Sequence, residues 1–487
     1  MEDFPIWLRA NHWINAVLMI FIIRSGIQIL FDHPKLYWND DSTPGTEWLK
    51  FGKKIMPKNK IWTSHDEEED INSIVALPGK KGNLGSGRRW HFLTASIWLI
   101  NGMVYIVLLF ATGIWKHIVP TSWSIIPASF QTLYSYVTFH LPPPETFTPF
   151  DPLQQLTYFA VIFIFAPLMI LTGMAMSPAI AGRFPWYTKI FGGRQGARSI
   201  HFIVMILLVS FIPIHIILVL LAGFPSNIGA MTIGHDISVK TGLVLYTGII
   251  GGLIVLNVWA TWYTLKDQRR LQLAFDTYLE PLIRKVFGPL KSKQFYSKKD
   301  ISQFFRINGY PPKDTEWIKA SKNNFKNWKL KVSGLIDGDK YFSLSDLKKF
   351  PKQEQITKHN CIQGWSAIAE WGGVEISEFI KNLPIDPKKK FIVFYAYDKD
   401  ENGKEYYGSL SIKEAQYPQS LLAYEMNWNT LPLEHGAPLR LRMESKLGFK
   451  MVKYIKEISF VEQLKNIHGG RGGYKEDVEH YSTEASI

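Results

Sequence analysis

Apolar and polar positions are spread unevenly along this chain of 487 residues. Five apolar runs punctuate its first half: WINAVLMIFIIRSGIQILF (13–31), FLTASIWLINGMVYIVLLFATGIW (92–115), LTYFAVIFIFAPLMILTGMAM (156–176), FIVMILLVSFIPIHIILVLLA (202–222) and TGLVLYTGIIGGLIVLNVWATW (241–262). Each has about the 20 residues that a helix needs to cross a ~30 Å hydrocarbon layer. They predict five transmembrane helices. A weaker apolar stretch within 121–150, broken by Pro and Ser, reads as a loop or interfacial helix. No cleavable signal precedes the first run, which is expected to be its own insertion signal.

The character changes after Trp262. Residues 264–300 are basic and helix-prone, as in LKDQRRLQLAF, and predict a connector along the membrane surface. Beyond it, WKLKVSGLI (328–336), KKFIVFYAY (390–397) and APLRLRMES (437–445) alternate as strands do. SLSDLKKF (343–350) and SIKEAQ (411–416) read as short helices with Ser caps. The expected architecture is an all-α five-helix transmembrane bundle (1–265), a basic connector (266–300) and an α+β soluble domain (301–487) ending in a mobile tail.

Composition adds exclusions. Hydrophobic residues at 46% and aromatics at 14% exclude a disordered or fibrous chain. One cysteine excludes a disulfide framework, a zinc finger and a cysteine-ligated iron–sulfur cluster. The net charge of +13 fits nucleic acid or an anionic membrane, and the hydropathy pattern decides for membrane lipid and against nucleic acid. Five spans put the 32–90 loop, the 178–200 loop and the soluble domain on one side. These loops carry an excess of Lys and Arg, so the positive-inside rule predicts a soluble domain on the cytoplasmic face of a bacterial inner membrane.

Histidine in a membrane span is costly and marks function by default. His12 opens the first helix, His91 opens the second, and His201 and His215 share the fourth. The last two are about 21 Å apart along one helix, on nearly the same face. The first and fourth helices run in opposite directions, which levels His12 with His215. The second and fourth run the same way, which levels His91 with His201. Two stacked bis-histidine sites suit two b-type haems. His33, His65, His117, His140 and His235 read as surface residues. Arg24, in mid-helix, could snorkel, pair with a haem propionate or line a quinone pocket.

HWINAVLMIFIIRSG, RRWHFL, LTGMAMSP and the His201/His215 helix resemble the di-haem cytochrome b subunits of formate dehydrogenase, thiosulfate reductase and nickel–iron hydrogenase, over about residues 1–225. The resemblance implies exchange of electrons with membrane quinone.

Cys361 lies in TKHNCIQGWSAIAEWGGV (357–374). On its own it reads as a buried structural thiol. HNCIQGWS, EWGGV, YYGSLSIKEA (406–415), LLAYEMN (421–427), EHGAPLRL (434–441) and GFKMVKYI (448–455) together resemble the sulfite oxidase family of molybdopterin enzymes, in the family's order. By that resemblance Cys361 is the thiolate bound to molybdenum and Tyr407 the active-site tyrosine. His359, His435, Arg440, Lys450 and Lys453 fall on cofactor-contacting blocks, and Asn324 matches the Asn-Asn-Phe of the methionine-sulfoxide-reductase branch. Two departures stand out. Sulfite oxidases carry arginine shortly after the cysteine, where this chain has Ile-Gln-Gly-Trp-Ser. Trp428 stands where the family has glycine. The missing arginine points away from sulfite and towards a neutral S-oxide or N-oxide. The expected protein is a membrane-bound molybdenum oxidoreductase that couples quinone through two haems to oxygen-atom transfer. Its alternatives are a sulfite-type dehydrogenase reducing quinone, or a cytochrome with a non-catalytic docking domain.

GNLGSGRR (82–89) lacks the Lys-Ser/Thr of a P-loop. DKDENGKEYYGS (398–409) ends in Ser where an EF-hand needs Glu, and its Asn402-Gly403 reads as a hairpin turn.

Overall fold

The computed structural model describes all residues except 1–3, 58, 139, 141–149, 222, 279–280, 282–284, 286–294 and 483–487. Among the described residues, five helices are long and apolar enough to cross a membrane: α1 (Ile6–Asp32), α2 (Leu84–Ala111), α3 (Pro152–Ala175), α4 (Gly193–Leu221) and α5 (Val239–Lys266). Local chemistry sets their starts. Asp151 accepts the amide of Gln154, with Pro152 following as first helical residue, and Ser238 caps α5 through the amide of Thr241. A π-helical turn at Ala160–Phe165 interrupts α3. The weak segment expected near 121–150 forms a helix at Ile125–Val137.

The soluble domain is a sandwich of two five-stranded sheets. Its strands are β1 (Lys329–Ser333), β2 (Lys340–Ser343), β3 (Lys352–Asn360), β4 (Ser366–Glu375), β5 (Phe391–Lys399), β6 (Glu405–Ser411), β7 (Ser420–Met426), β8 (Asn429–Thr430), β9 (Arg440–Met443) and β10 (Ile455–Val461). One sheet runs β8-β7-β4-β3 with β9 also paired to β7, and every pairing is antiparallel. The other runs β2-β1-β10-β5-β6, with β1 and β10 parallel. Trp371, Phe379, Phe394, Leu422, Tyr454 and Phe460 lie in the core between them. Ser343 and Ser411 cap the two short helices through capping boxes, and Gly403 takes φ +76° in the β5–β6 hairpin.

The soluble domain sits on the ends of the bundle where α1 finishes and α2 and α4 begin. Asp40, after α1, accepts the backbone amide of Gln195 in the first turn of α4 (2.9 Å) and pairs with Lys358 of β3 (2.7 Å). A carboxylate is favoured at that helix end by the aligned peptide dipoles. Glu67, in the loop between α1 and α2, gathers three donors. They are Lys35 Nζ (2.9 Å), His33 Nδ1 (3.1 Å) and Arg306 Nε of the soluble domain (3.4 Å). Arg306 also donates to Tyr37 Oη at 2.9 Å.

Three expectations change. His33 is not a surface residue but is 1% exposed, because its ring fills the space between Glu67 and Tyr37. The basic connector begins as the helix Gln268–Tyr278, which lies against α2 with Phe275 under the Arg89 guanidinium. The tail is not loose up to Ser482. Residues Tyr474–Val478 form a helix, and Tyr481 is buried against Leu84, Ile362 and Phe449. Gly85 of α2 lets that tail approach, since a Cβ there would stand 2.8 Å from the Glu479 carbonyl. The glycine-rich 82–89 segment thus serves packing.

Burial alone would raise the Glu67 carboxyl, but the His33 hydrogen bond and the Arg306 and Lys35 charges outweigh it and hold it well below the usual carboxylate range. Burial pushes His33 down to about 3, against the pull of Glu67. Both groups therefore bind fewer protons folded than unfolded, and their contribution is complete above about pH 6.5 and lost as pH falls towards 3. Glu67→Gln leaves buried cations without their carboxylate, at a cost of about 3 kcal/mol. Thermal melts followed by tryptophan fluorescence from pH 8 to 4 should show the wild-type midpoint falling below pH 6.5. The variant's curve should lie lower throughout and should still fall below pH 6.5, because the buried His33 remains.

Candidate active site and histidine pairs

Cys361 lies in the tight turn that joins β3 to β4. Its amide donates to the Trp365 carbonyl (3.0 Å), and Gly364 closes the turn at φ +114°. The polar stretch before the cysteine forms the nine-residue strand β3. Cys361 is 3% exposed, and burial pushes its thiol up to about 11. Three groups oppose burial, the first being a hydrogen bond from the Gln363 backbone amide. The Asn308 amide donates to Sγ at 3.9 Å, and the charge of Arg194, from α4, favours the thiolate.

A basic cradle lies beside the cysteine. Arg440 and Arg442 of β9 both stack on the Trp371 ring, at 4.7 and 4.4 Å from its centroid. Arg442 donates to His359 Nδ1 (2.9 Å), and His359 stacks on Trp365. Burial first, and then Arg442 and Arg440, hold the His359 ring well below its ordinary value, so it is neutral and can accept that bond. Arg440 donates to the His435 carbonyl (2.7 Å), and the Phe305 ring packs edge-on between His359 and His435. Burial and the Arg440 charge lower Lys453 to about 7. Its Nζ reaches the Glu434 carbonyl (3.1 Å) and Tyr454 Oη (3.2 Å).

Among the described residues, several buried polar atoms here have no partner: His359 Nε2, Asn360 Nδ2, Trp371 Nε1, Arg440 Nε and Arg442 Nε. Buried polar groups are normally satisfied, so such a cluster marks the place of a ligand rich in acceptors. The donor set is cationic and amide-bearing, beside one soft sulfur. It fits a molybdopterin, with its phosphate and polar pterin edge, and molybdenum on Cys361.

Three expected contacts lie elsewhere. Asn324 is exposed in a turn at φ +55°, away from the cradle. Lys450 gives its Nζ to the Glu476 carboxylate and the Gly472 carbonyl, so the C-terminal helix takes it. Tyr407 donates to Asp477 and lies against His468. Neighbouring strand positions face opposite sides. Tyr406, not Tyr407, therefore points towards the cysteine side, where its hydroxyl donates to the Phe449 carbonyl (2.7 Å) and Phe449 packs on Ile362. Trp428 is exposed at φ +63° with Lys298 over its ring, which explains why glycine suits that turn.

Arg194 and Asn308 escaped the sequence reading. Arg194 is 5% exposed, and its Nε donates to the Met176 carbonyl at 3.0 Å. Its Nη1 has no partner, and it stands within electrostatic reach of Cys361. Arg88 of α2 is within the same reach. Cations from the membrane domain thus stand within electrostatic reach of a cysteine whose own following residues carry no arginine.

In the bundle, His12 and His215 face each other with ring centroids 6.3 Å apart. A metal that takes one nitrogen from each of two imidazoles at about 2 Å leaves roughly that spacing. His91 and His201 are neighbours at the end nearer the soluble domain. Their Nδ1 atoms are occupied: His91 by Ser25 Oγ (3.3 Å) and the Ile22 carbonyl, His201 by Thr172 Oγ1 (2.9 Å). That orients both rings and leaves Nε2 for a metal, as second-shell partners of ligating histidines do. Gly26 and Gly173 make room for the two rings, with 3.4 and 3.6 Å from an added Cβ. Arg24 is tied to Asn257 Oδ1 (2.9 Å), Thr261 Oγ1 (2.7 Å) and the Ala76 carbonyl, and so anchors α1 to α5.

Fold and site define a multi-pass membrane protein that carries haem b and is a molybdopterin-dependent oxidoreductase. Residues 3–234 match the prokaryotic cytochrome b561 family, and residues 317–468 match the oxidoreductase molybdopterin binding domain. A protein of Azospira oryzae named "Putative protein-methionine-sulfoxide reductase subunit YedZ1" is 31% identical over 192 residues, which are 39% of this chain and 67% of that protein. The chain belongs to the family of that subunit and joins both domains in one polypeptide. The protein-methionine-sulfoxide reductase catalytic subunits MsrP of Xanthomonas campestris pv. campestris and Campylobacter jejuni are each 32% identical, over 34% and 30% of this chain and 55% and 52% of their own. The chain therefore spans about half the length of those two.

Cys361→Ser should lower molybdenum content by at least about tenfold, the scale of losing a metal's protein ligand. Haem absorbance should be unchanged. Metal analysis and visible spectra of the same preparation check both.

Proposed function

We propose that this protein takes electrons from membrane quinol, carries them through two haems held by His12/His215 and His91/His201, and uses them to reduce an S-oxide at molybdenum. One observation carries the reading: the helix that bears His201 also touches the cysteine turn. Gln195 Nε2 donates to the Gly364 carbonyl at 2.7 Å, and six residues of helix separate it from His201, about 9 Å along the axis. Electron carrier and reacting metal thus share one rigid element. The MsrP and YedZ1 relatives, named for methionine-sulfoxide reduction, support an S-oxide substrate.

Cys361 would hold a molybdopterin's metal, and when bound that group would supply two-electron oxygen-atom-transfer chemistry of a kind that one-electron carriers can sustain. The chain's residues supply the setting. Asn308 and Arg194 favour the thiolate over the thiol. Arg194 Nη1 is free to donate to an oxygen that leaves the substrate with growing negative charge. Tyr406 is held protonated by burial and by Glu476 and Glu479, and its one hydroxyl hydrogen goes to the Phe449 carbonyl. His359, Arg440, Arg442 and Lys453 would hold the cofactor, and Trp365 and Phe305 exclude water.

A cytoplasmic soluble domain is supported by the lysines that remain exposed on the loops beneath it: Lys50, Lys53, Lys60, Lys80, Lys81 and Lys189. External protease on right-side-out vesicles should spare the domain, and its rapid loss would reverse this assignment.

Purified holoenzyme should contain about two haems per molybdenum and His201→Ala about one, since each haem needs both axial ligands. Anaerobic addition of a reduced short-chain quinol should reduce the haems, and methionine sulfoxide should reoxidise them. Arg194→Gln should cut kcat/KM for the sulfoxide by about 100-fold, the usual effect of losing one preorganised donor. Haems that stay oxidised with quinol would sink the quinone coupling.

A further inference from the structure

Reducing an S-oxide to a sulfide consumes two protons as well as two electrons, and the oxygen leaves as water. The haem-bearing helices account for the electrons. The protons need a group near the cysteine that can lose and regain one. Of the side chains within electrostatic reach of Cys361, Arg88 and Arg194 are guanidinium groups that keep their protons, and Asn308 is an amide. Burial, and then Glu479, push the Tyr481 phenol well up. The one carboxyl in reach is Asp32, the last residue of α1. It is 5% exposed, and its side chain makes no hydrogen bond among the described residues. Buried polar groups are normally bonded, so a bare one has a reason outside packing.

Further ionisable groups link Asp32 to water. Two carboxyls lie within electrostatic reach of it, Glu68 of the α1–α2 loop and Glu479 of the C-terminal segment. Glu68 Oε1 bonds His65 Nδ1 (2.7 Å) and accepts from Nε2 of Gln363 (2.6 Å), a residue of the cysteine turn. His65 is also within reach of Glu479, and its side chain is 38% exposed against 6% for Glu68. The set therefore runs from solvent to the cysteine: His65, then Glu68 and Glu479, then Asp32. The cations that face it are Lys81, 3.9 Å from Glu68, Lys475, paired with Glu479, and Arg88 and Arg198 beside Asp32. From this arrangement we propose that the protons used at Cys361 enter at His65, pass through Glu68 and Glu479, and are given by Asp32 to the oxygen leaving the substrate; the inference rests on the S-oxide reading above. Each turnover moves two protons along this path and two electrons along the haem helices, and the S–O bond breaks as two O–H bonds form. Asp32 is then an anion beside Arg88 until His65 resupplies it from solvent, a task suited to the side chain that ordinarily titrates near neutral pH. Asp32 and Glu68 belong to the membrane half and Glu479 to the tail, so the path exists only where the fused parts meet.

Holoenzyme with its haems reduced should be mixed anaerobically with methionine sulfoxide or dimethyl sulfoxide, and haem reoxidation followed. Asp32→Asn should slow reoxidation by about 100-fold, the scale of a lost proton donor, with haem content, molybdenum content and haem reduction unchanged. Asp32→Glu, which keeps the carboxyl, should recover most of the rate. His65→Gln, at the exposed end, should slow reoxidation by about tenfold, and added imidazole should restore it. A merely structural defect would answer neither to a carboxyl nor to imidazole. Wild-type rates in Asp32→Asn, or slow variants that neither Glu nor imidazole rescues, would overturn the path. A second readout needs no substrate: the infrared spectrum of the oxidised holoenzyme should contain a protonated-carboxyl band that shifts in D2O and is missing from Asp32→Asn. Identical spectra would overturn the assignment of Asp32. If no sulfoxide reoxidises the haems while that band is present, the S-oxide reading fails and the proton site stands.

Discussion

The structure depends on one buried carboxylate. A bundle made for hydrocarbon and a sandwich made for water meet through a small apolar cluster of Leu84 with Ile362, Phe449 and Tyr481, and buried charge adds the register. Glu67 sits between His33 and Lys35 of the membrane half and Arg306 of the soluble half. Burying such a group is tolerable only when every donor is in place. That demand makes the arrangement specific, because a slide of a few ångströms would strand several buried charges together. Asp40 repeats the device a short way off, with Lys358 on one side and the start of α4 on the other. The seam fixes α4 relative to the β3–β4 turn, and with it His201 relative to Cys361.

The legible parts were those that periodicity or a costly residue type announces. Five apolar runs predicted five spans, and the paired levels of His12 with His215 and of His91 with His201 followed from helix direction alone. Alternation marked β5, β9 and the start of β1. The cradle on β9 and at His359 was visible as blocks of family-like sequence. What could not be read locally was what comes from far away. Arg194 precedes Cys361 by most of the soluble domain's length, and nothing near either residue advertises the other. The tail looked mobile because its glycines and charges are those of a loose end. Its partners, Gly85 and the Lys450 ammonium, lie in other parts of the chain.

Two errors were of register. Tyr406 and Tyr407 are equivalent as letters, but a strand sends them to opposite faces, and only the pairing of β6 with β5 says which faces inward. Asn324 was chosen for its neighbours Asn323 and Phe325, while Asn308, in a plain Asn-Gly pair, is the one that meets the sulfur. A motif names a residue type, and topology decides where it points.

The cations that the membrane domain brings within electrostatic reach of Cys361 show why fusion changes more than effective concentration. A free-standing domain must carry its own cation beside the metal. Here α4 brings one across the seam, buried and with an unsatisfied Nη1. Leaving a guanidinium hydrogen unpaired in a desolvated place costs free energy, and that cost is recovered only when something accepts from it. The same helix carries His201 a few turns further on, so any motion that loosens Arg194 from Cys361 also moves the electron carrier. Under the proposed function, the arginine that would meet the substrate oxygen and the histidine that would hold a haem ride on one rigid rod, which the soluble domain by itself does not contain.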